Sequence, residues 1–211
     1  LDRRLGLYSQ AMEAGQRALA EESLRAGVGN LWGRLEARPY MRARAGYAGC
    51  LEALGRREEA VDHWQDLLRL NLNDNQALRY RLIPALLELG RDEEALRLLE
   101  RFDDEGSAII RYCRALLEFR RAGDAPSARG RLANALQANA HVPKYLLGRK
   151  TIPPRLPEVF SYGGEDEAVL CVLEIRDAWK RSRGALTWLG RFLRRPRKAP
   201  RRNPRTDRHP G

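Results

Sequence analysis

The residues able to do chemistry are few and far apart. Cys50, Cys113 and Cys171 lie about 60 residues from one another, an odd number at a spacing that suits neither a disulfide framework nor the close ligand pairs of a zinc site. Cys50 and Cys113 fall inside helical patterns, where a free thiol is a small core residue. His63, His141 and His209 are equally scattered, and none has a cysteine or carboxylate at helix-face spacing. Glu58 with Glu59, and Glu93 with Glu94, look like paired catalytic carboxylates. Both pairs stand in the first turn of a helical pattern, where the helix dipole favours negative charge. Asn71, Asn73, Asp74 and Asn75 suggest a calcium loop, but the sixth position lacks glycine and Leu82 stands where the terminal glutamate belongs. Capping by Asn73 or Asp74 of a helix running to Leu89 is the better account. The chain has no GxSxG, no glycine-rich phosphate loop with a lysine, no HExxH and no CxxC. The expectation is a protein with no catalytic residue, no cofactor and no metal.

The elements that carry these residues read as helices. Arg42 to Leu72 is two short amphipathic stretches joined by a turn at Gly55. Tyr47, Leu51 and Leu54 recur at helical spacing in the first stretch, and Ala60, Trp64, Leu67 and Leu68 in the second. Neither face can be buried within one hairpin. Leu5 to Leu19 is a further helix with Leu5, Tyr8, Met12 and Leu19 on one side and small residues at Ala11, Ala14, Gly15 and Ala18 that admit a close neighbour. The chain then breaks at Gly27 and Gly29 and supplies Trp32 as a packing anchor, and Pro39 suits the first turn of the next helix. Pro84 interrupts the helix ending at Leu89 and removes one of its backbone hydrogen bonds.

Composition agrees with exposed helices: 211 residues, 43% hydrophobic, 7% aromatic and 32% charged. No run approaches the roughly 18 apolar residues of a spanning helix. The net charge of +11 is uneven, because the segment from Arg194 onward holds eight Arg or Lys against one Asp and four prolines. That composition gives a disordered basic tail and leaves a mildly basic body.

Gly55, Gly90 and Gly123 recur 35 and 33 residues apart, and each is followed five residues later by alanine, Ala60, Ala95 and Ala128. A period near 34 is that of a helix-turn-helix repeat, and the pattern resembles the tetratricopeptide family. LEALGRREEAVDHWQDLLRLNLND carries the turn glycine, the small residue, the aromatic Trp64 four later and a closing LxLNxxD; Leu72 replaces the family's proline. Leu99 and Leu132 occupy the aromatic slot in the next two repeats. The block ANAHVPKYLLGRKTIPPRLPEVFSYGGEDEAVLCVLEIRDAWKRSRGALTWL resembles the C-terminal part of the suppressor-of-tumorigenicity-seven family and its bacterial tetratricopeptide relatives. It carries HVPKYLL, a proline-rich link, a helix containing Glu-Ala, a Trp, and Gly-Ala-Leu. The likeness covers roughly residues 40 to 190 and implies a fold without implying a reaction.

These readings give an all-α, tetratricopeptide-like helical hairpin solenoid with a C-terminal capping helix and a disordered basic tail. Residues 1–38 are N-terminal helices, 39–140 three repeats, 141–193 the capping segment and 194–211 the tail. In the cap, Ala168, Val172, Ile175 and Trp179 share a stripe while Glu167, Glu174, Arg176 and Lys180 stay in water. Trp188 and Phe192 either finish the packing or form an exposed anchor with Arg191 and Arg194. The expected function is a non-catalytic cytoplasmic adaptor that binds a protein or peptide on its concave surface. Aligned repeats put Arg42, Tyr80, Arg81, Glu88, Arg114 and Arg121 there, a mainly cationic set suited to a partner with carboxylates. Ala45 and Gly49 stand in two slots of the family's Lys and Asn carboxylate clamp, so that ligand is not expected. The alternative is weak nucleic-acid or anionic-membrane contact through the basic residues from Arg194 to Arg208.

Overall fold

The computed structural model describes residues 1–19 and 28–194, which are helical apart from turns and links, with no β-strand among them. In chain order the helices are α1 (Asp2–Ala18), α2 (Arg38–Ala53), α3 (Arg57–Leu70), α4 (Arg79–Glu88), α5 (Asp92–Arg101), α6 (Ala108–Ala122), α7 (Pro126–Ala138), α8 (Val142–Leu146), α9 (Glu165–Arg181) and α10 (Ala185–Arg194). Two 3-10 turns, Leu31–Gly33 and Leu35–Ala37, lead into α2. The readings placed on Gly27 and on the tail from residue 195 lie outside the described residues. No described helix is long and apolar enough to cross a membrane.

Three antiparallel hairpins, α2/α3, α4/α5 and α6/α7, follow from the turn glycines. Gly55, Gly90 and Gly123 have φ of +78°, +75° and +62°, a region costly for any side chain. At the first two turns the backbone closes the helix in a paired pattern: Arg56 N–H donates to Leu51 O and Gly55 N–H to Glu52 O, and Arg91 and Gly90 repeat this with Leu86 and Leu87. The alanine five residues on is fully buried in each hairpin, at Ala60, Ala95 and Ala128. Trp64, Leu99 and Leu132, four positions further, are buried as well. A small residue therefore marks each close crossing and a large one fills the space beside it.

The hairpins pack in sequence, with α3 on α4, α4 on α6, and α5 on α6. At the N-terminal end α1 lies along α2, and the approach is set by two glycines. A Cβ on Gly15 would meet Tyr40 at 2.9 Å, and one on Gly46 would meet the Tyr8 ring at 2.4 Å. Of the small residues expected at this contact, Gly15 serves, whereas Ala11, Ala14 and Ala18 face solvent. Asp74, with φ of +49°, caps α4 by accepting from the N–H groups of Leu78 at 2.7 Å and Arg79 at 3.1 Å. Its position in the Asn-rich loop is thus explained by helix capping.

The chain's largest departure from a simple stack of hairpins is α9. It packs against α4, α6 and α8, so it lies along the first helices of the second and third hairpins. Ala168, Val172, Ile175 and Trp179 form its buried stripe, as the periodicity requires. Glu167, expected in water, is only 5% exposed, and Glu174 is half-buried. After it, α10 folds back onto α6 through Trp188, whose ring stacks on Phe119 at 4.5 Å and on Trp179 at 6.3 Å. Its indole N–H donates to Asp124 Oδ1 at 2.8 Å. Trp188 therefore belongs to the core; Phe192 is partly buried beside it.

Candidate partner-binding groove

Three polar assemblies hold α9 in place. In the first, Glu167 Oε1 accepts from Ala108 N–H at 3.1 Å, at the start of α6. Its Oε2 accepts from Gly163 N–H at 2.7 Å and from Asn139 Nδ2 at 3.0 Å. Asn139 also donates to Gly164 O at 2.7 Å, and its own carbonyl accepts from the Tyr112 hydroxyl at 2.8 Å. Glu167, Asn139, Tyr112 and Ala108 are buried, where each hydrogen bond is hard to replace. In the second, Arg120 of α6 donates through Nε to Ser182 Oγ at 2.7 Å and pairs through Nη1 with Asp92 at 2.5 Å.

The third is a ladder of alternating charge across four helices. Arg81 Nη1 is 2.9 Å from Glu52 Oε2, and Arg57 lies 3.7 Å from Glu52 Oε1. Arg57 pairs in turn with Glu88 at 2.5 Å, and Glu88 with Arg181 at 3.3 Å. Such a chain of partners neutralises the inner faces of α2, α3 and α4 and ties them to the end of α9.

Beside the ladder a groove of about 340 Å³ remains open between α4, the start of α6 and α9. Ile109, Leu170 and Leu173 give it an apolar lining, and Phe160 and Tyr162 stand at its edge with their rings 5.5 Å apart, edge to face. Tyr80, Arg81, Ser107 and Glu174 supply its polar atoms. Cys171 also lines it; burial pushes that thiol well above its ordinary range and keeps it protonated. For Glu174, burial raises the carboxyl pKa, the Arg81 charge opposes this, and nearby Glu52 adds to the rise. Glu105, behind Tyr80, behaves oppositely. Burial alone would raise it, but hydrogen bonds from Tyr80, Arg79 and the Ser107 N–H outweigh that and hold it below the usual range.

The six residues assigned to the inner surface do not form one set. Tyr80 and Arg81 line the groove, although the Tyr80 hydroxyl is already engaged with Glu105 at 2.8 Å. Glu88 belongs to the ladder. Arg42 is exposed at the other end, its guanidinium 5.5 Å from the Trp32 ring. Arg114 and Arg121 line a separate cleft of about 460 Å³ that they share with Leu96 and Leu99 of α5 and Arg131 of α7. There Arg114 pairs with Asp103 at 2.7 Å and donates to the carbonyls of Leu99 and Phe102. It is committed to ending α5. The mainly cationic surface expected from aligned repeats is therefore largely self-paired. Periodicity could not reveal this, because the partners come from neighbouring hairpins, from the link after α5 and from α9.

Among the described residues no group of three or more His, Cys, Asp or Glu could hold a metal ion. Comparison with known proteins gives one consistent result. A family model described as ST7 protein matches residues 34–197. The chain is 35% identical over 176 residues to a suppressor of tumorigenicity 7 protein-like from Danio rerio, covering 69% of this chain and 31% of that protein. It is 34% identical over 176 residues to the suppressor of tumorigenicity 7 protein of Macaca fascicularis, covering 69% and 32%, and similarly to that of Rattus norvegicus, covering 69% and 29%. The chain thus spans about a third of the length of the curated relatives it matches. No solved structure matches it.

Proposed function

This chain belongs to the ST7 protein family, and we propose that it is a non-catalytic scaffold of tetratricopeptide type whose inner surface holds a segment of another protein. The observation that carries the reading is the position of α9. An amphipathic helix already lies along α4 and α6, held by an apolar stripe and by charge pairing, which is how grooves of helical hairpins hold partner helices. The remaining groove continues the same surface and is lined by half-exposed apolar side chains rather than by a packed wall. The repeat spacing supports the tetratricopeptide assignment, and three unpaired buried thiols suit the reducing cytoplasm in which we place the adaptor.

The test is affinity purification from the native host with three proteins: wild type, Leu170→Arg and a truncation lacking residues 195–211. Leu170 is half-buried and lines the groove, so a charged side chain there obstructs it without opening the core. A specific protein lost with Leu170→Arg and kept by the truncation supports the scaffold. Nucleic acid or acidic vesicles lost only with the truncation would favour polyanion binding by the tail, and turnover of a metabolite by the pure protein would overturn both.

A further inference from the structure

The charged side chains that line the groove are Arg81, Glu167 and Glu174. Arg81 is paired with Glu52 at 2.9 Å, and Glu167 accepts from Ala108, Asn139 and Gly163. Glu174, half-buried in the groove wall, has neither a hydrogen bond nor an ion pair among the described residues, although Arg81 and Arg57 act on it at longer range. A carboxylate partly withdrawn from water without a partner loses hydration, and a cation brought to it offsets that loss.

Two further observations point to a ligand at the same place. Ser107 is only 6% exposed, lines the groove, and its hydroxyl has no hydrogen-bond partner. Buried polar atoms without partners are uncommon, and one that lines a groove can take its partner there. At the mouth, Phe160 and Tyr162 are 47% and 74% exposed, two aromatic rings left in solvent in the same lining as Glu174. Ring faces attract cations, and the pairing is stronger where water is excluded.

We propose that the groove receives a lysine or arginine side chain from an extended segment of a partner protein. The methylene stem runs against Ile109, Leu170 and Leu173, the charged head reaches Glu174, and Phe160 and Tyr162 close over it. The Ser107 hydroxyl is then available to the segment's polar atoms. This assignment rests on the scaffold reading and reverses the charge of partner that the aligned arginines suggested. An acidic segment would meet Glu174 with only self-paired arginines to attract it.

The experiment uses the full chain and a library of immobilised N-acetylated heptapeptides, mixed at six positions and fixed at the centre as Arg, Lys, Gln, Leu or Glu. The expected result is a preference of about tenfold for Arg or Lys over Gln at the centre, equivalent to about 1.4 kcal/mol. That preference should vanish for Glu174→Gln and fall severalfold for the double variant Phe160→Ala and Tyr162→Ala, whose side chains are largely in solvent. A preference for Glu or Leu, an Arg preference unchanged in Glu174→Gln, or no binding by any peptide overturns the inference. Loss of a host partner in Leu170→Arg alongside any of those results would leave the scaffold reading standing, so the two fail separately.

Discussion

Glu167 on α9 accepts a hydrogen bond from the backbone N–H of Ala108, at the start of α6, 3.1 Å away and 59 positions earlier in the chain. Together with Asn139 and Gly163, this one carboxylate satisfies donors from three segments that share no repeat position. Glu167→Ala should lower unfolding free energy by at least about 2 kcal/mol, since it leaves buried donors unpaired. Glu167→Gln, which keeps one acceptor, should lose less. Urea titration of both against Glu158→Ala, a largely exposed control, checks the order.

Glu174 carries a pH signature. Burial raises its carboxyl pKa in the folded chain, so between the ordinary and the raised value the folded state retains a proton that the unfolded state has released. Stability therefore falls as pH rises from the usual carboxylate pKa through the raised one. Glu174→Gln should be more stable than wild type at pH 7, with the difference shrinking to nothing in acid. A difference that grows on acidification would contradict the assignment. Denaturant curves from about pH 4 to pH 8 give the answer.

At the crossing of the first hairpin Ala60 has no exposed surface. Ala60→Leu should cost about 1–3 kcal/mol by overpacking. The comparison is Gly49→Ala, where a new Cβ meets nothing within 4 Å; there the added methyl should stabilise the helix by up to about 1 kcal/mol. Thermal unfolding of the pair separates crowding from a general response of α2 and α3 to substitution.

Trp188 joins α10 to the rest of the molecule through two ring stacks and one hydrogen bond. Trp188→Ala should cost about 3–5 kcal/mol. Hydrogen exchange along α10 should rise with it, while α2 and α3 keep their protection. Equal loss in all helices would mean that the chain unfolds as one unit.

Much of the fold was legible because its determinants are local. A glycine at positive φ, an alanine five residues on and a large apolar residue four later recur at Gly55, Gly90 and Gly123, and the buried stripe of α9 follows helical spacing. The groove was less legible because its electrostatics are non-local. Arg114 and Arg81 look alike in an alignment of repeats, yet one ends α5 and the other meets Glu52. Nothing in the spacing says that α9 returns to α4, which is what buries Glu167 and leaves Glu174 facing the groove. Three acids in the first turn of α9, Glu165, Asp166 and Glu167, were a signal of helix start; which of them turns inward depends on Ala108 and Asn139.

Methyl NMR of the labelled chain, titrated with the protein that co-purifies with it, tests the central claim most directly. The Ile109, Leu170 and Leu173 methyls should shift or broaden, while Leu96 and Leu98 on α5 do not, and Leu170→Arg should abolish the response. Shifts confined to Leu96 and Leu98, with Ile109, Leu170 and Leu173 unmoved, would place recognition on the opposite surface and contradict the account.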